Sequence, residues 1–304
     1  MTRRIVVILN ASSGSGNDDA VADRLRALFV AADAAVDIRT VRHGAELAAQ
    51  VEAAKAEQPD VIVAGGGDGT VSAVAAALAG SEIALGVLAL GTLNHFARDL
   101  GVPLDVAQAV RCIVAGTAVP VDVGEVNGRV FVNNSSLGLY PDIVRDRERQ
   151  QKRLGRGKWA AMGWAMLAAL RRYAFMHVTL RVAGDERKLR TPFVFIGNNE
   201  YLMEGLSIGE RERLDRHVLS VYFAQRPGRL RLLQFALFAL FSRLKQARDF
   251  QSLVTPDLVV ESRHHQLPVA NDGEITMMVP PLRYRVRPAS LLVMRAAADG
   301  VSTA

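Results

Sequence analysis

The sequence is poor in several features that define common protein classes. It has one cysteine, Cys112, in 304 residues, so no internal disulfide can form and a reducing compartment is expected. Aromatic residues make up only 6% of the chain, and they do not alternate with basic residues as they do in proteins that bind single-stranded nucleic acid. We therefore expect no nucleic-acid partner, although the formal net charge is +6.

Long apolar runs are also missing. No segment reaches the ~18 continuous apolar residues of a transmembrane helix, and the apolar run near the N-terminus is too short for a signal peptide. Half of the residues are nevertheless hydrophobic, which is enough for one large domain or two ordinary ones. The prediction is a cytoplasmic protein without a transmembrane segment that associates peripherally with a membrane.

The first part of the chain alternates two kinds of pattern. Strand-like runs at 4–10, 36–40, 61–64 and 83–88 alternate with helical patterns at 18–33, 45–57 and 104–115. This alternation predicts a parallel sheet with helices on both faces. After residue 122, short strand-like runs separated by Asn-Gly and Asp-Gly turns predict a mostly antiparallel β domain. The predicted domains are 1–122 and 123–282, with 283–295 returning to the first.

Polar, glycine-rich turns follow three of the predicted strands, at 10–16, 65–70 and 91–94. In parallel sheets, ligands bind at the carboxyl ends of the strands, and glycines let backbone amides approach an anion closely. Asp68 adds a carboxylate, a group that binds Mg²⁺ or accepts the proton of a hydroxyl group. The pattern predicts a phosphate site, and a plain βα turn with an exposed Asp68 is the alternative. Neither a Walker A loop nor a Rossmann fingerprint is present.

Three motifs resemble, in order and at fitting spacing, those of the diacylglycerol kinase catalytic-domain family, which includes bacterial lipid kinases and the related sphingosine and ceramide kinases. They are Gly66-Gly67-Asp68-Gly69-Thr70, Leu90-Gly91-Thr92-Leu93-Asn94 and Asp272-Gly273-Glu274. The opening Asn10-Ala11-Ser12-Ser13-Gly14 is similar to the family's Asn-Pro-x-x-Gly motif, with Ala11 in place of Pro. The resemblance implies an α/β plus all-β fold. Its N-terminal three-layer domain would be like that of phosphofructokinase and NAD kinase, its C-terminal domain a β-sandwich, and its active site would lie in the cleft between them.

The same resemblance implies a function and a set of site residues. The function is transfer of the γ-phosphoryl group of ATP to a lipid hydroxyl, with diacylglycerol as the default acceptor and sphingoid bases or phosphatidylglycerol as close seconds. ATP and Mg²⁺ would be the cofactors. The implied nucleotide contacts are Asn10, Ser13, Gly14, Thr40, Gly66, Gly67, Asp68, Gly69, Thr70, Val71, Ser72, Thr92 and Asn94. Asp68 and Asp122 would bind the metal. Asp272 and Glu274 would be the candidate proton acceptors, and Asp68 is the alternative base.

Two positions depart from the family pattern. His95 follows Asn94 where many members have an aspartate, which removes an acid expected near the metal. Arg216 stands where the resemblance implies an aspartate of a structural Mg²⁺ site in the second domain. We expect that site to be lost and the Arg216 cation to hold the loop instead.

Two segments pair basic with apolar residues. Residues 145–158 are rich in Arg and Lys and precede an apolar segment at 159–170, and a similar segment lies at 229–248. Basic residues beside an apolar face suit docking on an anionic membrane, and a solvated helix followed by a core helix is the alternative. The expected partner is a lipid substrate at a membrane surface, and the oligomeric state stays open, with a homodimer among the options.

Two other functions stay open at this point. One is an enzyme like NAD kinase that acts on a soluble substrate. The other is a non-catalytic protein of the same fold that binds lipid or nucleotide. Both would retain the glycine-rich turns, so the turns alone do not distinguish them.

Overall fold

The computed structural model describes residues 3–11, 18–42, 44–138, 175–201, 211, 213–224 and 250–296. The chain divides into two compact units, one of Met1–Val123, Arg213–Asp215 and Arg287–Ala304, the other of Gly124–Glu212 and Arg216–Val286. The sequence prediction set the boundary after residue 122 and the return at residue 283. The segments at 145–170 and 229–248 lie outside the described residues. Within the described part, no helix is long and apolar enough to cross a membrane.

The first unit is a parallel sheet with helices on both faces. Its elements are β1 (Ile5–Asn10), α1 (Asp18–Ala31), β2 (Val36–Val41), α2 (Gly44–Ala56), β3 (Val61–Gly66), α3 (Asp68–Leu78), β4 (Ala84–Ala89), α4 (His95–Asp99), α5 (Val106–Ala115) and the first part of β5 (Thr117–Val126). Strand β1 pairs in parallel with β2 and β3, and β3 pairs in parallel with β4. The predicted parallel sheet is confirmed.

The sequence of β1 shows why this sheet is buried on both faces. Successive side chains of a strand point to opposite faces. Val7 and Leu9 pack in one core with Leu25 of α1, while Val6 and Ile8 are equally buried on the other face, where α2 and α3 contact the sheet. A strand covered by helices on both faces has to be apolar throughout, as this one is.

The second unit contains two antiparallel sheets. Its strands are β6 (Arg129–Phe131), β7 (Asn134–Gly138), β8 (Met176–Val182), β9 (Asp185–Thr191), β10 (Phe193–Asn198), β11 (Leu219–Ala224), β12 (Phe250–Thr255), β13 (Asp257–Ser262), β14 (Leu267–Asn271), β15 (Glu274–Met278) and the first part of β16 (Leu282–Arg295). One sheet has the order β12-β11-β10-β7-β14-β15, and β16, β13, β8 and β9 are neighbours in the other. Within the first unit, Val293 of β16 pairs in parallel with Leu85 of β4.

A common core joins the two sheets of the second unit. Val194 and Ile196 come from the six-stranded sheet, and Leu258 and Val260 come from the other, and all four belong to one buried cluster. Two sheets that share an apolar layer form a sandwich. The predicted combination of an α/β domain and a β-sandwich is therefore confirmed.

Some elements differ from the sequence prediction. The pattern at 130–135 predicts one strand, whereas β6 and β7 are separated by Val132 and Asn133. The amides of these two residues donate to the carboxylate of Asp272, which takes them out of the strand ladder. Strand β9 and helix α4 are absent from the prediction, because β9 consists mainly of exposed charged residues and α4 is only five residues long.

Arg3, near the start of the chain, forms hydrogen bonds with the C-terminal end of α5. Its guanidinium donates to the carbonyl oxygens of Ile113 (3.2 Å), Val114 (2.5 Å) and Gly116 (2.7 Å). A helix leaves its last carbonyl groups without intrahelical donors, and a cation at that end also complements the helix dipole.

The substitution Arg3→Met should lower the free energy of unfolding by about 1–3 kcal/mol, because the carbonyl groups of α5 lose a charged donor. Urea unfolding of the two proteins would measure this change. The matched control is Arg26→Met, since Arg26 forms an exposed ion pair with Asp23, and it should cost less than about 0.5 kcal/mol. Equal losses in the two variants would contradict the capping role of Arg3.

Candidate active site

Three polar turns meet at one edge of the parallel sheet. Asn10 ends β1, Gly66 ends β3, and the turn at Gly91 and Asn94 follows β4. The strands are neighbours, and Asn10 Nδ2 donates to Thr70 Oγ1 at 2.8 Å. Because parallel strands end on the same side, their polar turns form one surface. Ser13 and Gly14, which the resemblance assigns to the first turn, lie outside the described residues.

Glycine is required where two of these turns touch. A Cβ atom on Gly91 would lie 2.6 Å from Gly67 Cα and 2.8 Å from Asn94 Oδ1. A Cβ atom on Gly66 would lie 2.6 Å from Thr70 Oγ1, whereas one on Gly69 would meet no atom within 4 Å. The turns are packed backbone against backbone at Gly67 and Gly91, and the Gly69 side is open.

Asp68 begins α3 and is partly exposed. Its Oδ2 accepts a hydrogen bond from Asn94 N at 3.0 Å. Asn94 has a left-handed backbone, with φ at 52°, and its side chain closes the turn on Gly91: Oδ1 accepts from Gly91 N at 3.1 Å and Nδ2 donates to Gly91 O at 2.9 Å. The Asp68 carboxylate is thus fixed to a rigid turn at the N-terminus of a helix, where the helix dipole stabilises negative charge.

The other residues of the first unit that are predicted to bind the nucleotide differ in their exposure. Thr40, near the end of β2, and Thr92 are exposed, whereas Thr70, Val71 and Ser72 are buried in α3. Thr70 N and Val71 N donate to Gly67 O within the helix. The backbone N–H groups of Thr70 and Val71 are therefore already engaged at the start of α3.

Among the described residues, no hydrogen bond or ion pair joins Asp122 or His95 to Asp68. Asp122 is 1% exposed, and its Oδ1 accepts from Ala289 N at 2.9 Å, where Ala289 has a φ of 49°. His95 is exposed on α4. Across the described ranges, no three His, Cys, Asp or Glu side chains are placed to hold a metal ion. The metal role of Asp122 stays a prediction.

In the second unit, Asp272 and Gly273 form the tip of the β14–β15 hairpin. Their φ angles are 48° and 91°, and Asn271 pairs with Glu274, which is the geometry of a type I′ turn. Both carboxylate oxygens of Asp272 accept backbone amides. Oδ1 accepts from Asn133 N at 2.8 Å and from Asn134 N at 3.0 Å, and Oδ2 accepts from Val132 N at 2.8 Å.

Asp272 and Glu274 therefore differ in surroundings although they are two residues apart. Burial raises the pKa of the Asp272 carboxyl, and the three amide donors and the Arg211 guanidinium act in the opposite direction. Glu274 is exposed at the start of β15. Asp272 is held in place by its contacts, whereas Glu274 is accessible to a second molecule.

Arg211 binds the opposite side of the Val132–Asn134 segment and was not predicted from the sequence. Arg211 is 4% exposed, and it donates to Val132 O at 2.6 Å, Asn133 Oδ1 at 2.7 Å and Asn198 O at 3.1 Å. It stands in the charged run Arg211-Glu212-Arg213, which has the composition of a surface loop. No periodic signal in the sequence marks this arginine as buried.

Arg216 contacts the loop that follows β10. Its Nη1 lies 3.1 Å from Glu200 Oε2, and its backbone N donates to Asn199 Oδ1 at 2.9 Å. The first contact agrees with the prediction that the Arg216 cation holds the loop, whereas the second is made by the backbone and does not involve the cation. Loss of the structural Mg²⁺ site stays a prediction, as does a cleft between the two units.

Comparison with known proteins matches both parts of the chain. A family model described as "Diacylglycerol kinase catalytic domain" matches residues 4–126. A second, described as "YegS C-terminal NAD kinase beta sandwich-like domain", matches residues 142–295. Among solved structures, one titled as a diacylglycerol kinase of Bacillus anthracis str. Sterne has a TM-score of 0.70 at 19% identity, covering 96% of this chain and 97% of that one. That likeness concerns the fold.

Sequence relatives extend the comparison. A Pseudomonas aeruginosa protein named "Probable lipid kinase YegS-like" is 33% identical over 80% of this chain and 79% of its own length. A Bacillus subtilis (strain 168) protein named "Diacylglycerol kinase" is 39% identical over 37% of this chain and 38% of its own length. A Klebsiella pneumoniae (strain 342) protein named "Probable lipid kinase YegS-like" is 41% identical, but the match spans 31% of this chain and 32% of that protein.

The α/β domain with its glycine-rich edge and the β-sandwich together place the chain in a kinase-type class, since the first domain matches a kinase catalytic domain and the second matches a sandwich domain like that of NAD kinase. More specifically, the chain belongs to the diacylglycerol kinase catalytic-domain family, with a YegS-type second domain. The resemblance drawn from the motifs is confirmed.

The left-handed backbone of Asn94 gives a paired test. Asn94→Ala and Asn94→Gly both remove the two side-chain bonds to Gly91, but glycine adopts a φ near 52° at little cost. Asn94→Gly should therefore be more stable than Asn94→Ala by about 1 kcal/mol, as measured by urea unfolding. An alanine variant as stable as the glycine variant would show that this turn rearranges when the side chain is removed.

Proposed function

We propose that this protein is a lipid kinase that transfers the γ-phosphoryl group of ATP to a lipid hydroxyl, with diacylglycerol as the first candidate acceptor. The observation that carries the proposal is the edge of the parallel sheet, where Asp68 is fixed between the glycine-rich turns at Gly67 and Gly91. The names of the relatives support the class of acceptor. One is named a diacylglycerol kinase and others are named lipid kinases.

The residues at this edge fit a nucleotide phosphate and its cation. Gly66, Gly67, Gly69 and Gly91 present backbone without side chains, and α3 directs its N-terminus toward the same turn. Such an arrangement favours a phosphate, and the Asp68 carboxylate is an oxygen ligand of the kind that Mg²⁺ prefers. When bound, Mg²⁺ would neutralise negative charge on the phosphates. Asn10, Thr40 and Thr92 would then contact the nucleotide.

The second unit would supply the proton acceptor. A lipid hydroxyl becomes a useful nucleophile when a carboxylate accepts its proton. Asp272 uses both oxygens on backbone amides, while Glu274 is exposed two residues later. We assign Glu274 the role of proton acceptor and Asp272 the role of holding the turn. The protein would meet its lipid at a membrane surface from the cytoplasmic side.

Phosphoryl transfer tests the proposal directly. The purified protein is incubated with ATP labelled at the γ-position, Mg²⁺, and separate vesicles containing diacylglycerol, sphingosine or phosphatidylglycerol, with NAD as a soluble acceptor. Labelled lipid is expected, and Asp68→Ala should reduce the rate by ~10²-fold or more because it removes the charged group at the phosphate turn. The exposed Asp23→Ala is the control and should retain activity.

Each outcome of that assay favours one function. Label on NAD and on no lipid would replace the lipid kinase with an enzyme on a soluble substrate. Nucleotide binding without any transfer would indicate a non-catalytic protein. Label on phosphatidylglycerol or sphingosine alone would keep the lipid kinase and change the acceptor.

Two variants separate the roles of Glu274 and Asp272. Glu274→Gln should change stability by less than about 0.5 kcal/mol because the side chain is exposed. It should also lower kcat by ~10²-fold or more because the proton acceptor is lost. Asp272→Asn should lower the free energy of unfolding by about 1–3 kcal/mol, since an amide NH₂ replaces one acceptor of the three backbone N–H groups. The measurements are steady-state kinetics and urea unfolding. A fully active Glu274→Gln would assign the base elsewhere.

A further inference from the structure

We propose that Arg211 is a positioning residue for the Asp272-Gly273-Glu274 turn. The inference rests on the proposed function in one respect, namely that Glu274 acts in phosphoryl transfer. The physical link itself, from the guanidinium to the turn, is independent of that role.

The link is the short segment between β6 and β7. Asp272 binds it through the amides of Val132, Asn133 and Asn134, and Asp272 N in turn donates to Asn134 O at 2.8 Å. Arg211 binds the same segment through Val132 O and Asn133 Oδ1. An anion on the N–H groups and a cation on the oxygens therefore hold the segment from two directions.

One peptide group connects the two charges. Val132 O accepts from Arg211 at 2.6 Å, and the nitrogen of that same peptide group, Asn133 N, donates to Asp272 Oδ1 at 2.8 Å. A cation on the carbonyl polarises the peptide group and strengthens its N–H as a donor. The next peptide group repeats the arrangement, because Asn133 O accepts from Tyr201 OH at 3.0 Å and Asn134 N donates to Asp272.

The shape of the guanidinium suits this task. It reaches Val132 O, Asn198 O and Asn133 Oδ1 at once, and it lies 5.3 Å from the centre of the Tyr201 ring. A planar fork with five N–H donors can serve several acceptors in fixed directions, whereas an ammonium group is a point charge without that fork. Burying a guanidinium is costly unless such acceptors surround it.

A shift of Asp272 would also move Glu274, because the two residues belong to one tight turn. Only Gly273 separates Asp272 from Glu274, and the type I′ geometry leaves little freedom between them. Asn198 also supports the segment, because its Nδ2 donates to Val132 O at 3.0 Å and its backbone N donates to Asn133 O at 2.9 Å. If Arg211 is removed, the Val132–Asn134 segment therefore loosens without detaching, and the turn that Asp272 joins to it is placed less precisely. A displacement of about 1 Å at a reacting group can cost ~10²-fold in rate.

Amide hydrogen exchange tests the positioning without any assay of activity. In Arg211→Met, the amides of Val132, Asn133 and Asn134 should exchange at least ~10-fold faster than in the unaltered protein, while those of residues 193–197 in β10 and those of β11 keep their protection. Arg211→Lys should give a smaller increase, because it retains the charge without the fork. Arg187→Met, at an exposed arginine on β9 of the same unit, is the matched control and should leave exchange unchanged.

Kinetics then test the effect on the reaction. Arg211→Met should lower kcat for lipid phosphorylation by ~10- to 100-fold and change the KM for ATP by less than ~2-fold, since the nucleotide contacts proposed above lie in the first unit. In Arg211→Ala, added guanidinium ion should restore part of kcat, and added ammonium ion should not. Loss of fold alone would not give rescue by one cation and failure with the other.

Unchanged exchange at Val132–Asn134 in Arg211→Met would overturn the proposal. Equally faster exchange throughout the second unit would also overturn it, because Arg211 would then be a general stabiliser. If Arg211→Met does not fold, Arg211→Lys decides by the same exchange criterion. If the unaltered protein phosphorylates no lipid, the proposed function fails, and the exchange result still decides the role of Arg211.

Discussion

Parallel pairing of β1, β3 and β4 is the constraint on which the candidate phosphate site depends. Because Ile5 pairs with Val61 and Val61 pairs with Ala84, the three strands start level and their carboxyl ends reach the same edge. Residues that are sixty positions apart, such as Asn10 and Thr70, then come within hydrogen-bond distance. The apolar strands that make this pairing stable carry no chemistry themselves, but without their register the polar turns would not meet.

The second constraint is the backbone contact between Gly67 and Gly91. A single added carbon on Gly91 would overlap both Gly67 and Asn94, so the closeness of the turns depends on the absence of a side chain. Asn94 donates its backbone N–H to Asp68 from a left-handed backbone that its own side chain fixes through two hydrogen bonds to Gly91. The position of the Asp68 carboxylate is thus determined by steric and hydrogen-bond requirements of neighbouring residues, before any ligand is considered.

The sequence was sufficient for the parts of the fold that repeat a pattern. Continuous apolar runs predicted the parallel strands, and the Asp272-Gly273 pair predicted the hairpin, because each depends on local rules of burial or turn geometry. The break at Val132 and the burial of Arg211 could not be predicted, since both depend on contacts between distant segments: the carboxylate of Asp272 lies 140 positions from Val132. A charged run such as Arg211-Glu212-Arg213 gives no sign of which arginine is buried.

Asp68 and Asp272 both precede a glycine, but their surroundings give the two carboxylates different chemistry. Asp68 accepts one described backbone amide, is partly exposed and begins a helix. Asp272 accepts three amides, and one of them, Asn133 N, belongs to the peptide group whose carbonyl oxygen accepts from the buried Arg211 cation. A carboxylate with one amide at a helix N-terminus can still take a cation or a proton from a second molecule. A carboxylate with both oxygens engaged holds the backbone, and this is why the proposed function assigns the proton acceptor to the exposed Glu274.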